Sequence, residues 1–172
     1  MIFFVTLHTK GKDMKTRFNT PTILGGCVFL LALLCILSIG SPIHFDHERS
    51  VREKAVKARL MTIRSAEERY RAQHGVYAGS FKELAQSGLL ADSLSIIPYT
   101  DDTRFSLTAT TLPGKSGRKI PVMECAATYS QYLAGLDKTS ISDLTDQAAT
   151  NGQFPGLKIG DTENPNDNLG NW

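Results

Sequence analysis

Apolar positions along this chain follow two patterns. From Ile23 to Gly40 they run without a charge, as ILGGCVFLLALLCILSIG, while from Arg49 to His74 they recur at Val56, Leu60, Ile63, Ala66 and Tyr70. Steps of three and four place the second set on one face of a helix, and Val51, Ala55 and Ala58 widen that face. Away from it, Glu48 and Arg52, Glu53 and Lys57, and Glu67 and Arg71 stand four apart with the acid first, the favoured order for a pair within a helix. Such a helix runs on the order of 40 Å at 1.5 Å per residue. Its apolar face needs a second layer to cover it.

The rest of the chain supplies that layer. His74-Gly75-Val76 ends the helix, with Gly75 free to turn left-handed and Val76 placed to pack back on the last turn. Ser80 and Glu83 have the spacing of a capping box before a second helix from Phe81 to about Gln86. Ser93 to Ile97 reads as a short strand. Arg104 to Thr110 alternates, with Phe105, Leu107 and Ala109 on one side, and Leu112 to Gly117 is a turn. Lys119 to Cys125 returns as a third strand, where Pro121 marks an edge or an irregularity. Ala127 to Leu136 reads as helical, and Ser140 to Asp143 can cap a helix that stops at Asn151-Gly152. Gly156 to Gly160 adds an edge strand before an Asp- and Asn-rich tail. The fold class expected is α+β: an N-terminal transmembrane helix, then a long amphipathic helix packed on a small antiparallel sheet.

The apolar run sets the expected organisation. About 18 uncharged residues is near the lower limit for a helix that crosses a bilayer, so residues 23–40 are expected to be transmembrane. They follow a cytoplasmic segment at 1–22, in which Met14 is an alternative start, and precede a juxtamembrane linker at 41–48 and an extracytoplasmic domain at 49–172. Ser38 and Gly40 would also suit cleavage before Ser41, and Leu24 to Cys27 has the letters of a lipoprotein site, although that cysteine opens the apolar run. Pro42 is expected to break the helix, and Phe45, between His44, Asp46 and His47, to dip into the membrane interface. The basic residues on the two sides of the run nearly balance, and the size of the C-terminal part favours a single-pass protein of a bacterial inner membrane with its domain in the periplasm.

Composition changes this picture only locally. The net charge of +2 hides an asymmetry: eight Arg and Lys face four Glu between Glu48 and His74, whereas from Asp137 onward six acids face Lys138 and Lys158. Opposite signs at the two ends suit head-to-tail contact between copies or self-docking of the tail, and two ordinary solvated surfaces are the preferred reading. Cys27 and Cys35 lie in the apolar run, leaving Cys125 without a nearby partner, as a small buried hydrophobe. Neither GxSxG nor HExxH occurs, no glycine-rich loop joins a strand to a helix, and no catalytic residue is assigned. Asp161, Glu163 and Asp167, among neighbouring asparagines, are oxygen ligands of the kind calcium accepts; a solvated tail is the other reading. Arg49, Arg52, Lys54, Lys57 and Arg59 suit anionic lipid head groups, and the glutamates among them argue against nucleic acid.

Tyr70, Gly75, Tyr77, Phe81, Leu84, Gly88 and Leu89, in that order, resemble the end of the long helix and the following loop in type IV pilins and type II secretion pseudopilins. Asp167, Gly170 and Trp172 resemble the C-terminal loop of the major pseudopilins. The chain lacks the prepilin peptidase motif, since Ile23 to Gly40 holds no acid. The resemblance implies a non-enzymatic structural or assembly subunit of a secretion or fibre system, with an interaction face at Val56, Leu60, Ile63 and Tyr70. Its partners would be other envelope proteins or copies of itself. The alternative is an anchored module that does not polymerise and binds a protein partner or ligand.

Overall fold

The computed structural model describes residues 20–114 and 117–172, with side chains except at 20, 22 and 37–43. The expected cytoplasmic segment, with the alternative start at Met14, lies almost wholly outside these residues. The chain divides into two compact units, Met1–Ser41 and Pro42–Trp172. Helix α1, Thr20–His74, contributes to both, and helical structure is assigned through Ser41-Pro42, where a break was expected.

In the first unit every side chain described from Ile23 to Ile36 is exposed. Among the described residues no helix is long and apolar enough to cross a membrane. This overturns the transmembrane span at 23–40, and with it the single-pass inner-membrane placement and the periplasmic domain. A spanning helix needs about 20 consecutive apolar residues, and the uncharged run from Ile23 to Gly40 falls short of that and includes Gly25, Gly26, Ser38 and Gly40. The side chains at 37–43, which would complete the expected span, lie outside the described residues.

The linker expected at 41–48 is also corrected. Its residues are helical, and Phe45 belongs to the core of the second unit. Phe45 shares a cleft with Leu144 and Gln147 of helix α4, Lys138–Thr150. A large ring packed there replaces the expected membrane-interface anchor.

The second unit is α+β. Its sheet comprises β1, Ser106–Pro113, β2, Lys119–Thr128, and β3, Gly156–Gly160. The order is β1-β2-β3 and all pairing is antiparallel, with Ser106 opposite Ala126 and Glu124 opposite Gly160. Pro121 therefore lies in the central strand. It sits opposite Thr111 and before the stretch of β2 that β3 covers, so its missing N–H removes no bond to β3.

Alternation along the strands aims Met123, Cys125, Ala127, Leu157 and Ile159 into one core with Val56, Leu60, Ile63 and Ala66 of α1. Val56, Leu60 and Ile63 are fully buried. Each such side chain contributes on the order of 1.5–3 kcal/mol, so the α1 stripe and the sheet hold each other in place.

Local chemistry sets the ends of the elements. Gly75, at φ 80°, stops α1. Tyr77, rather than the exposed Val76, packs back into the core. Ser80 caps helix α2, Phe81–Gln86, by accepting from the Glu83 amide at 3.4 Å, while the Glu83 carboxylate reaches the Gly79 amide at 2.9 Å. The segment expected as a strand before Ile97 is a 3-10 turn at Asp92–Ser95, because the Ser95 hydroxyl donates back to the Asp92 carbonyl at 2.6 Å. The helical region expected at Ala127 to Leu136 contracts to α3, Tyr129–Tyr132, since β2 continues to Thr128. Asp137 caps α4 through the Ser140 amide at 2.8 Å, so that helix starts earlier than Ser140.

Candidate functional site

A cleft of about 450 Å³ opens on one flank of α1 in the second unit. One wall is Arg49, Glu53 and Lys57, which repeat every four residues and share a helix face. The other includes Tyr129, Phe154 and Trp172. The C-terminal residues reach the cleft because they extend the sheet. Gly170 bridges to Ile159, the Asn171 amide donates to the Lys158 carbonyl at 3.1 Å, and the Asn171 side chain accepts from the Lys158 amide at 3.0 Å and donates to the Gly156 carbonyl at 3.0 Å. The open edge of β3 is thereby covered. Trp172 folds back over Gly170, where a Cβ would collide with the indole.

The cleft pairs cations with rings. Arg49 lies 5.8 Å from the centre of Tyr129, Lys57 5.6 Å from Trp172 and Lys158 6.0 Å from Phe154, all within cation–π range. The cations differ in how fully they are paired. Arg49 Nε donates to Glu53 at 2.7 Å, and Lys158 lies between Glu124 at 2.9 Å and Asp161 at 3.4 Å. Among the described residues Lys57 pairs only with Glu53, at 3.9 Å, a carboxylate already shared with Arg49 and, at 3.5 Å, the Tyr132 hydroxyl. Its ammonium is therefore the cation in this cleft with most capacity for another carboxylate.

A second polar group lies beneath the sheet. Glu67 is fully buried; one oxygen accepts from the Ala78 amide at 2.8 Å and the other has no partner among the described residues. Burial raises its pKa to about 7, and the Ala78 hydrogen bond opposes the rise. Pairing with Arg71 was expected. Instead Arg71 donates to the Tyr77 hydroxyl at 2.9 Å. The steps Leu60, Ile63, Glu67 already put this acid on the apolar stripe, a signal outweighed by the i to i+4 charge rule.

The expected interaction-face residues Val56, Leu60 and Ile63 are enclosed by their own domain, and Tyr70 is half-buried with its ring stacked on His74 at 4.1 Å. Val56, Leu60 and Ile63 therefore have no surface to offer a partner, and Tyr70 keeps part of its own. Cys125 is fully buried, and burial together with the nearby Glu67 charge pushes its thiol up.

The expected calcium ligands are not gathered around one point. Asp161 accepts from the Glu163 and Asn164 amides at 2.8 and 2.9 Å, and these bonds hold its carboxyl below the usual range. Asp167, at φ 53°, offers its carbonyl to Arg64 at 3.1 Å. Among the described residues, no three acid, histidine or cysteine side chains are grouped to hold a metal ion. Compared with protein-family models, curated proteins and solved structures, the chain matches none.

Proposed function

We propose that this chain is a structural subunit of the pilin and pseudopilin kind, which works by contact with copies of itself and with other proteins and carries out no reaction. The observation behind this reading is the apolar helix surface from Ile23 to Ile36, which is exposed among the described residues. Leu24, Phe29 and Ile36 are 65%, 72% and 68% exposed. Contiguous apolar surface of this kind is uncommon on monomeric proteins and marks association. The equivalent helix of another copy, apolar on the matching side, covers it. The second unit adds support, being a long helix under a small antiparallel sheet whose C-terminal loop closes the sheet edge.

Cys27 and Cys35 are both exposed on this helix, whereas Cys125 is buried. Mild oxidation of the full-length protein is therefore expected to give a ladder of disulfide-linked species beyond the dimer. Monomer or dimer alone would overturn the reading. The second reading, a module that binds a protein partner without polymerising, is supported by the Lys57 and Trp172 cleft, and a monomer-only result would favour it.

A further inference from the structure

The two flanks of α1 in the second unit carry complementary features. Arg52 and Arg59 lie on one side of the Val56, Leu60 and Ile63 stripe, and Glu53 and Lys57 on the other. Contacts follow the same division. Arg59 donates to the carbonyls of Ser93 and Ile96 at 3.1 and 3.4 Å, and Arg52 lies 5.2 Å from the Tyr99 ring. Tyr99, Asp101 and Asp102 thus sit on the first flank, and the Lys57 and Trp172 cleft on the second.

The loop at Tyr99 to Asp102 has the character of a contact. Tyr99 is 53% exposed and held at φ 66°, a costly conformation for a bulky residue that the surrounding structure must impose. Asp101 and Asp102 are exposed, and neither has a hydrogen bond or ion pair among the described residues. The nearby Arg104 is occupied by both oxygens of Asp92, at 2.7 and 3.0 Å. Two exposed carboxylates without a hydrogen bond or ion pair among the described residues stand on one flank, Asp102 within electrostatic reach of Arg104, and an under-paired ammonium beside an exposed indole stands on the other.

We propose that the Asp101 and Asp102 loop of one copy docks in the Lys57 and Trp172 cleft of the next. Because the two patches differ and lie on opposite flanks, the contact is head-to-tail and repeats along a row of copies. This rests on the assembly reading above and deepens it by naming the surfaces. Lys57 supplies the charge, and Trp172 and Tyr99 supply aromatic area of the kind that dominates protein contacts.

The test uses a mixture of isotopically heavy and light full-length chains, treated with a water-soluble carbodiimide that joins a carboxylate to an amine in direct contact. An amide between Lys57 of one isotope and Asp101 or Asp102 of the other is expected by mass spectrometry. Its absence, or its presence only within single chains, overturns the proposal. Charge reversal adds a second readout. Lys57→Glu alone, or Asp101→Lys with Asp102→Lys alone, is expected to weaken association about tenfold. A one-to-one mixture of the two variants, each folded by circular dichroism, is expected to restore it, because each reversed loop then meets a reversed cleft. Failure of the mixture to recover also overturns the contact. The Cys27 and Cys35 ladder separates the two ideas: a ladder without the Lys57 crosslink removes only the docking contact, while loss of the ladder removes the assembly reading itself.

Discussion

The side-chain amide of Asn168 donates to the Tyr77 hydroxyl at 2.7 Å, joining positions 91 residues apart. Tyr77 follows the glycine that ends α1, and Asn168, at φ 57° and buried, is at the turn that brings the C-terminal residues back to β3. Arg71 donates to the same hydroxyl at 2.9 Å. One phenol oxygen thus ties the end of the helix to the loop that closes the sheet edge.

Tyr77→Phe keeps the ring and removes both bonds. The buried Asn168 amide then loses an acceptor, which costs about 1–3 kcal/mol. Urea unfolding is expected to show that loss. Hydrogen exchange should locate it at the Gly160 and Asn171 amides, which bond to Leu169 and Lys158 carbonyls. Unchanged exchange at these two amides would show that the tail is held independently of Tyr77.

Glu67 makes stability depend on pH in the direction opposite to an ordinary ion-paired acid. Its ordinary value is 4.5 and its folded value about 7, so between them the folded chain keeps a proton that the unfolded chain has released. Its contribution is therefore fully present below pH 4.5, falls as pH rises through that window, and is lost above about 7. The loss is on the order of 3 kcal/mol. Stability measured by urea midpoint from pH 5 to 8 is expected to decline in the wild type, with a smaller decline in Glu67→Gln. Parallel profiles would show that this carboxyl is not the source.

Legibility in the sequence followed the range of the interactions. The stop at Gly75, the cap at Ser80, the end of α4 at Asn151-Gly152 and the β3 limits depend on neighbouring residues, and those signals are local. The Val56, Leu60 and Ile63 stripe was equally legible, since periodicity reports burial directly. What covers a residue is not local. Phe45 read as a membrane-facing ring because nothing near it in sequence names Leu144, and Pro121 read as an edge or an irregularity because strand order is settled by β3, far downstream. Arg52 illustrates the same limit: expected to pair with Glu48, it donates to the carbonyls of Tyr132 and Ala134 at 3.1 and 2.9 Å. The candidate cleft was the least legible part. It brings Trp172 beside α1 because the main chain and side chain of Asn171 bond to Lys158 and Gly156 on β3, a pairing that no local pattern announces.

The acidic loop gives a third prediction. Because Asp161 serves the Glu163 and Asn164 amides and Lys158, Asp161→Ala is expected to lower stability by about 0.5–2 kcal/mol through loss of those bonds. The loss should be equal with calcium and with chelator, as read by thermal unfolding under both conditions. A melting temperature that rises with calcium in the wild type and not in the variant would assign Asp161 to a metal instead.

Gly160 is a position where no other residue fits. Its φ is 72°, which disfavours any side chain, and a Cβ there would strike the carbonyl oxygen of Met123 on the central strand. The same residue donates its amide to the Leu169 carbonyl at 3.1 Å and pairs opposite Glu124. Alanine cannot relieve the collision by turning a side chain, because the Cβ direction is set by the backbone; either β3 moves off β2 or the turn into the tail opens. Gly160→Ala is therefore expected to cost about 2–4 kcal/mol, more than the roughly 1 kcal/mol expected for left-handed strain alone. Gly152→Ala supplies the control, since that glycine is also left-handed, at φ 64°, and has open space where its Cβ would be. Equal losses in the two variants would mean that conformation alone sets the cost; a clearly larger loss at Gly160 would place the close approach of β2 and β3 among the contacts that hold the sheet.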